Sequence, residues 1–108
     1  MLSARVVVRL AQPGSLKDKR RVAASLLSTL PARFGVSVAE IEGQDDRRRL
    51  VLGLAGVSSD LGHVRAVMER AVRQVESTAM ADAAVEWSLV GGGQWGEYQT
   101  GPGGGSDP

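Results

Sequence analysis

Only five residues, Gly43 to Arg47, separate two runs that read as β-strands, with the turn at Gly43 to Asp46, and this short joint limits the fold more than any other feature. A parallel crossover needs a dozen or more residues, so the two runs can meet only as an antiparallel hairpin. They are Gly35 to Glu42 and Arg48 to Val57, the second carried by Leu50, Val51, Leu52 and Leu54. Period-two alternation also marks Met1 to Ala11, where Leu2, Ala4, Val6, Val8 and Leu10 alternate with Ser3, Arg5 and Arg9. Ala83 to Val90 repeats it through Val85, Trp87 and Leu89, against Glu86 and Ser88. Helical spacing fills the two gaps. Pro13-Gly14 ends the first strand, and Ser15, with Asp18 three residues on, is expected to cap a helix running to about Arg33. Pro31 falls in its last turn or marks its end. Ser58 or Ser59 is expected to cap a second helix over Asp60 to Ala79, with Leu61, Val64, Met68, Ala71, Val72, Val75 and Ala79 on one side. Glu69 and Arg73 are expected to pair on its outer side.

The resulting order, β-α-β-β-α-β, is the split βαβ or ferredoxin-like pattern, an α+β fold with a four-stranded antiparallel sheet and two helices on one face. In 108 residues, 43% of them hydrophobic, there is material for one core. It should contain Val6, Val8, Leu26, Leu30, Leu52, Leu54, Leu61, Val64, Met68, Val72 and Trp87. Composition changes at Gly91: eight of the 14 glycines, at 91, 92, 93, 96, 101, 103, 104 and 105, fall in the last 18 residues. Such chain cannot recover its ordering entropy by burial, so residues 1–90 are read as the domain and 91–108 as a flexible glycine-rich tail. Trp95 and Tyr98 interrupt the tail and either dock on the domain or form a motif for a partner.

Several functions are disfavoured at once. With no cysteine there is no disulfide, zinc knuckle or thiol nucleophile. A net charge of +1 excludes a polycation, so any basic surface is local. No apolar run approaches the roughly 20 residues of a membrane span, and the alternating N-terminus with its arginines does not read as a signal peptide. The chain is therefore expected to be cytoplasmic and off the membrane. His63, the single histidine, falls on the outer side of helix two, and no serine has a positioned base. Asp45-Asp46 reads as turn chemistry rather than a metal site. The expectation is a non-enzyme without metal or cofactor.

The informative residues lie in helix one. At about 100° per residue, Leu16, Ala23, Leu26, Leu27 and Leu30 share one arc. Lys17 and Arg21 point outward, but Lys19 and Arg20 fall within or beside the apolar arc, where a solvated face would not put them. Both are candidates for a structural ion pair with Glu40, which shares strand parity with Val36 and Val38. Four cations also crowd the positive end of the helix dipole, an arrangement that favours an anion. Topology brings Arg47, Arg48 and Arg49 to the same end. Counting Arg9 as well, eight cations there face Asp18, Glu40, Glu42, Asp45 and Asp46, leaving about +3. Two readings follow: an internal ion-pair network tying hairpin to helix, or a site for RNA or a smaller anion with Lys17, Arg21, Arg47, Arg48 and Arg49 as the binding residues. No aromatic residue lies on strands one and three, so contact would be with phosphates rather than stacked bases.

The segment Pro13-Gly14-Ser15-Leu16-Lys17-Asp18-Lys19-Arg20-Arg21-Val22, with Arg33-Phe34-Gly35-Val36-Ser37-Val38-Ala39-Glu40, Gln44-Asp45 and Leu52-Gly53 through Val57, resembles the YlxP-like family of small bacterial domains of unknown function. The likeness runs over roughly residues 1–90. It implies a ferredoxin-like fold and, through the family's gene neighbours in translation and ribosome maturation, an RNA or ribosomal partner. The family often carries Trp-Gln-Arg after the hairpin turn, where this chain has Arg47-Arg48-Arg49. The acylphosphatases share the fold, but their phosphate loop is not found here. An ACT-like module is the reading from another class. Pro13-Gly14 then belongs to a loop for a small acid, and the domain dimerises. A dimer or protein partner is expected in any case over the open sheet face, where Val51, Gly53, Ala55 and Val57 are too apolar for water, or at a sheet edge.

Overall fold

The computed structural model describes residues 1–10 and 16–89. Its elements are β1 (Leu2–Arg9), α1 (Leu16–Phe34), β2 (Ser37–Glu42), β3 (Arg49–Gly56), α2 (Leu61–Ala79) and β4 (Ala83–Leu89). The expected cap at Ser15, the Pro13-Gly14 turn and the 91–108 tail with Trp95 and Tyr98 lie outside the described residues. All neighbouring strands are antiparallel, in the order β2-β3-β1-β4. This is the ferredoxin-like split βαβ arrangement.

Strict alternation sends Leu2, Ala4, Val6 and Val8 of β1 beneath the helices, all buried, and its odd-numbered residues to the opposite face. β3 adds Leu50, Leu52 and Leu54 to the helix side. Ala23, Leu26 and Leu30 from α1 and Val64, Met68, Ala71, Val72 and Val75 from α2 close over them as one core. α2 lies so close to the end of β3 that a Cβ at Gly56 would stand 2.7 Å from Val64 Cγ2, so any larger residue there would force Val64 to shift. Pro31 sits inside α1, which continues to Phe34, where the Gly35 N–H closes back on the Pro31 carbonyl at 3.0 Å.

Four local expectations change. The cap of α2 is Asp60, whose Oδ1 accepts from the His63 N–H at 3.1 Å, while the Ser58 hydroxyl accepts from the Asp60 N–H. Leu61 opens that helix a turn before the first buried position, Val64, and is 49% exposed rather than core. Trp87 is half-buried against the core, with the Arg65 guanidinium 4.2 Å above its ring. That stacking anchors Arg65, and it is Arg65, not Arg73, that pairs with Glu69, at 3.1 Å. No helix among the described residues is long and apolar enough to cross a membrane.

Candidate basic interface at the hairpin end

Lys19 is a buried residue of α1, 2% exposed, one turn before Ala23 on the same side of the helix. Its four methylenes run along the apolar arc and deliver the ammonium to the β2–β3 hairpin. There Nζ donates to the Gly43 carbonyl and, at 3.3 Å, to the Gln44 carbonyl, and lies 3.2 Å from Glu40 Oε2. An ammonium has three donors, and three oxygens surround this one. Glu40 Oε2 is buried and accepts no aligned hydrogen bond, so its link to Lys19 is a charge contact.

The clamp acts on a turn that is already specified. Gly43 takes φ 68°, a left-handed conformation that glycine adopts at little cost. Its carbonyl accepts from the Asp46 N–H at 2.9 Å as well as from Lys19. Asp46 Oδ1 accepts from the Arg48 N–H at 2.8 Å, and Gln44 Nε2 reaches the Glu40 carbonyl. Both ends of the hairpin turn are thereby tied, with an open groove between the turn and Leu16.

Around this frame the cations sort by exposure. Lys17, Arg20 and Arg21 on α1 and Arg47 and Arg48 on the turn are all exposed. Arg20 therefore departs from its expected role: one ammonium completes the oxygen set at Glu40, and Arg20 stays outside. Arg49 also departs from the exposed set. It is half-buried, with Nε shielded and unbonded among the described residues, close to Gly43. Arg9 is exposed but sits at the far side of this end, beside a depression shared with Glu76 and Asp82.

Glu42 leaves the basic end altogether. In a regular strand it would share the helix side with Glu40. A bulge between Glu40 and Glu42 inserts Ile41 and sets Glu42 opposite Val51, on the open face. There its two oxygens take Arg5 Nε at 2.7 Å and an Arg5 terminal nitrogen at 2.8 Å, while Arg5 also reaches Glu86 at 3.2 Å. The hydrogen bonds from Arg5, helped by its charge and that of Arg49, hold the Glu42 carboxyl below its ordinary pKa, against partial desolvation. The Arg5 guanidinium is held further still in its charged form, chiefly by the bond to Glu42. The sequence reading missed this triad, because nothing in Glu40-Ile41-Glu42 marks an extra residue.

The basic end is thus cleaner than the sequence count. Five exposed cations belong to the start of α1 and the turn, Lys17, Arg20, Arg21, Arg47 and Arg48, of which Arg47 and Arg48 line the groove, against the exposed acids Asp18, Asp45 and Asp46. Lys19 and Glu40 neutralise each other beneath them. The described aromatics, Phe34 and Trp87, pack against the core, so among the described residues this end offers charge rather than a stacking platform. No group of three or more metal-ligating side chains occurs among the described residues.

The model of a family described as "Protein of unknown function (DUF503)" matches residues 1–86. "Uncharacterized protein YlxP" of Bacillus subtilis (strain 168) is 36% identical over 64 residues, covering 59% of this chain and 70% of that protein.

Proposed function

The chain belongs to the family described as a protein of unknown function (DUF503), and from that premise we propose that it is a cytoplasmic, non-enzymatic accessory domain that binds structured RNA or a ribosomal particle through its hairpin end. The observation that carries this reading is the sorting of charge there. The internal pair neutralises its own charge, and the surplus cations stand exposed on a frame that Lys19 holds in shape. An internal network alone would draw the arginines inward. Instead Arg47 and Arg48 remain outside beside Lys17, Arg20 and Arg21.

Phosphates are the natural ligand for such a set. Flexible, exposed Lys and Arg side chains neutralise backbone charge without reading sequence, and among the described residues both aromatics pack against the core, which fits recognition of shape. Lys17, Arg21, Arg47 and Arg48 make the contacts, Arg20 supplements them, and Arg49 supports the hairpin from within. His63 is exposed in the first turn of α2, which follows the Gly56 end of β3, opposite the hairpin end where β3 begins at Arg49, so it stands away from the site, which favours a binding role over catalysis.

Co-sedimentation with ribosomal subunits at low and moderate salt tests the reading, with a Lys17→Glu/Arg21→Glu double variant beside the unaltered protein. Salt-sensitive binding that the double variant loses supports it. No binding at low salt rejects it, and equal binding by both proteins rejects this surface. A small carboxylic acid that raises the melting temperature and drives dimerisation would replace it with the ACT-like reading.

A further inference from the structure

The two edges of the sheet are built differently. β2, at one edge, is interrupted by the bulge between Glu40 and Glu42, a device that keeps an edge from pairing further. β4, at the other, keeps unbroken register with β1 over all seven residues and contains no proline, glycine or lysine. Its one charge, Glu86, reaches across the open face to Arg5 at 3.2 Å. The Leu10 N–H donates to the Arg48 carbonyl, so the even-numbered residues of β1 bond β3 and its odd-numbered residues bond β4. On β4 the partners in that ladder are Ala84, Glu86 and Ser88. Ala83, Val85 and Trp87 therefore turn their N–H and C=O groups to the outer edge. Glu76 Oε2 accepts from the Ala83 N–H at 2.9 Å, and the Val85 and Trp87 N–H groups have no such cap among the described residues.

We propose that this edge pairs with the same edge of a second copy, antiparallel, about a two-fold axis through Val85. Outward-facing residues must oppose one another for hydrogen bonds to form. Three centres satisfy this with at least five residues of the strand paired: Val85, Glu86 and Trp87. A centre at Glu86 sets that carboxylate opposite its own copy, and one at Trp87 brings together two Arg65 guanidiniums, each 4.2 Å above its ring. The Val85 centre sets Trp87 against Ala83 and Glu86 against Ala84, large against small. It gives four hydrogen bonds, Val85 N–H to Val85 carbonyl and Trp87 N–H to Ala83 carbonyl, each made twice, and leaves the Glu76 cap in place.

A second copy is the occupant because the edge complements itself about this centre. Arg65 rides over Trp87 on the helix side, and the Glu76 carboxylate stands at Ala83. Setting Trp87 beside Ala83 of the second copy therefore brings cation to carboxylate, once on each side of the axis. The same axis acts on two exposed apolar side chains. Leu89, 51% exposed, follows Val85 at one end of the strand, and Met80, 85% exposed, precedes it just beyond the other. Leu89 of one copy comes past Ala81 to the Met80 corner of the other, and both side chains leave water.

Sedimentation equilibrium of the full chain tests this, together with amide exchange by NMR at the same concentrations. A monomer–dimer equilibrium is expected, with Val85 and Trp87 amide protection rising as the dimer forms. Leu89 and Met80 are exposed in the single chain, so charged variants keep the fold. Leu89→Lys should weaken the dimer by at least about ten-fold, since an apolar contact is lost on each side of the axis. Adding Met80→Glu should recover the association, because the introduced ammonium then meets a carboxylate on the other copy. A chain that stays monomeric at NMR concentrations would overturn the proposal. So would a dimer indifferent to Leu89→Lys, whose contact lies on another surface, or Val85 and Trp87 amides protected in the monomer, where the edge is covered within the chain.

Discussion

Glu40 and Glu42 stand two residues apart on one strand, each ion-paired with a different cation, Lys19 and Arg5, and their surroundings differ. Glu40 faces the helices, where the Lys19 side chain is 1% exposed and the carboxylate's own is 18%. Glu42 faces the open side, where the Arg5 and Glu42 side chains are 34% and 43% exposed. Arg5–Glu42 has the better geometry, a bidentate fork near 2.8 Å, yet water competes for both partners. Lys19–Glu40 has poorer alignment but little solvent, and it also ties two turn carbonyls to α1. Geometry and consequence are therefore expected to part: loss of the better-formed pair should cost less than loss of the buried one.

The largest expected effect lies at Lys19. Lys19→Met removes the buried cation and strands Glu40 and two carbonyls, so urea melts should show a loss of about 3–5 kcal/mol. Adding Glu40→Leu should recover much of it, because an apolar pair of similar volume removes the stranded charge. A loss near zero for the single variant would erase the contrast between the two sites.

Next comes the acid limb of stability. The folded-state pKa of Glu42 is depressed, so the ionised carboxylate binds Arg5 more strongly in the folded chain than in the unfolded one. That contribution is complete above the unfolded glutamate value, near 4.3, and disappears as pH falls through the lower folded value. Glu42→Gln should flatten this part of a stability–pH curve and leave the neutral region less stable than the parent. An unchanged acid limb would mean that the fork has no thermodynamic weight.

The smallest effect separates the sites by screening. Raising salt toward 1 M shortens the Debye length to about 3 Å and should shrink the penalty of Glu42→Gln, while the penalty of Lys19→Met persists. Equal salt responses would place both pairs in the same environment.

Much of this was legible in the residues, for identifiable reasons. Lys19 stood out because helical periodicity placed it among Leu16, Ala23 and Leu26, and strand parity singled out Glu40 as its partner. The path of β1 followed from its alternation alone. Glu42 was not legible, since a bulge shifts parity by one residue without a local signature. Nor could spacing choose between Arg65 and Arg73 for Glu69, because both lie four residues away. The choice came from Trp87, which is distant in sequence and stacks on Arg65. Arg20 failed for a third reason: periodicity admitted two cations to the arc, and the oxygen set at Glu40 was filled by one.

The central claim is that the hairpin end, not the open face, carries the protein's external electrostatic function. The salt dependence of binding to structured RNA tests it most directly, with Lys17→Ala/Arg21→Ala compared with Glu86→Gln and the unaltered chain. Losing two phosphate contacts should make the slope of log affinity against log salt shallower by about 1.4–1.8, at about 0.7–0.9 per contact, while Glu86→Gln leaves it unchanged. A slope identical in all three proteins, or altered only by the change at Glu86, would contradict the account.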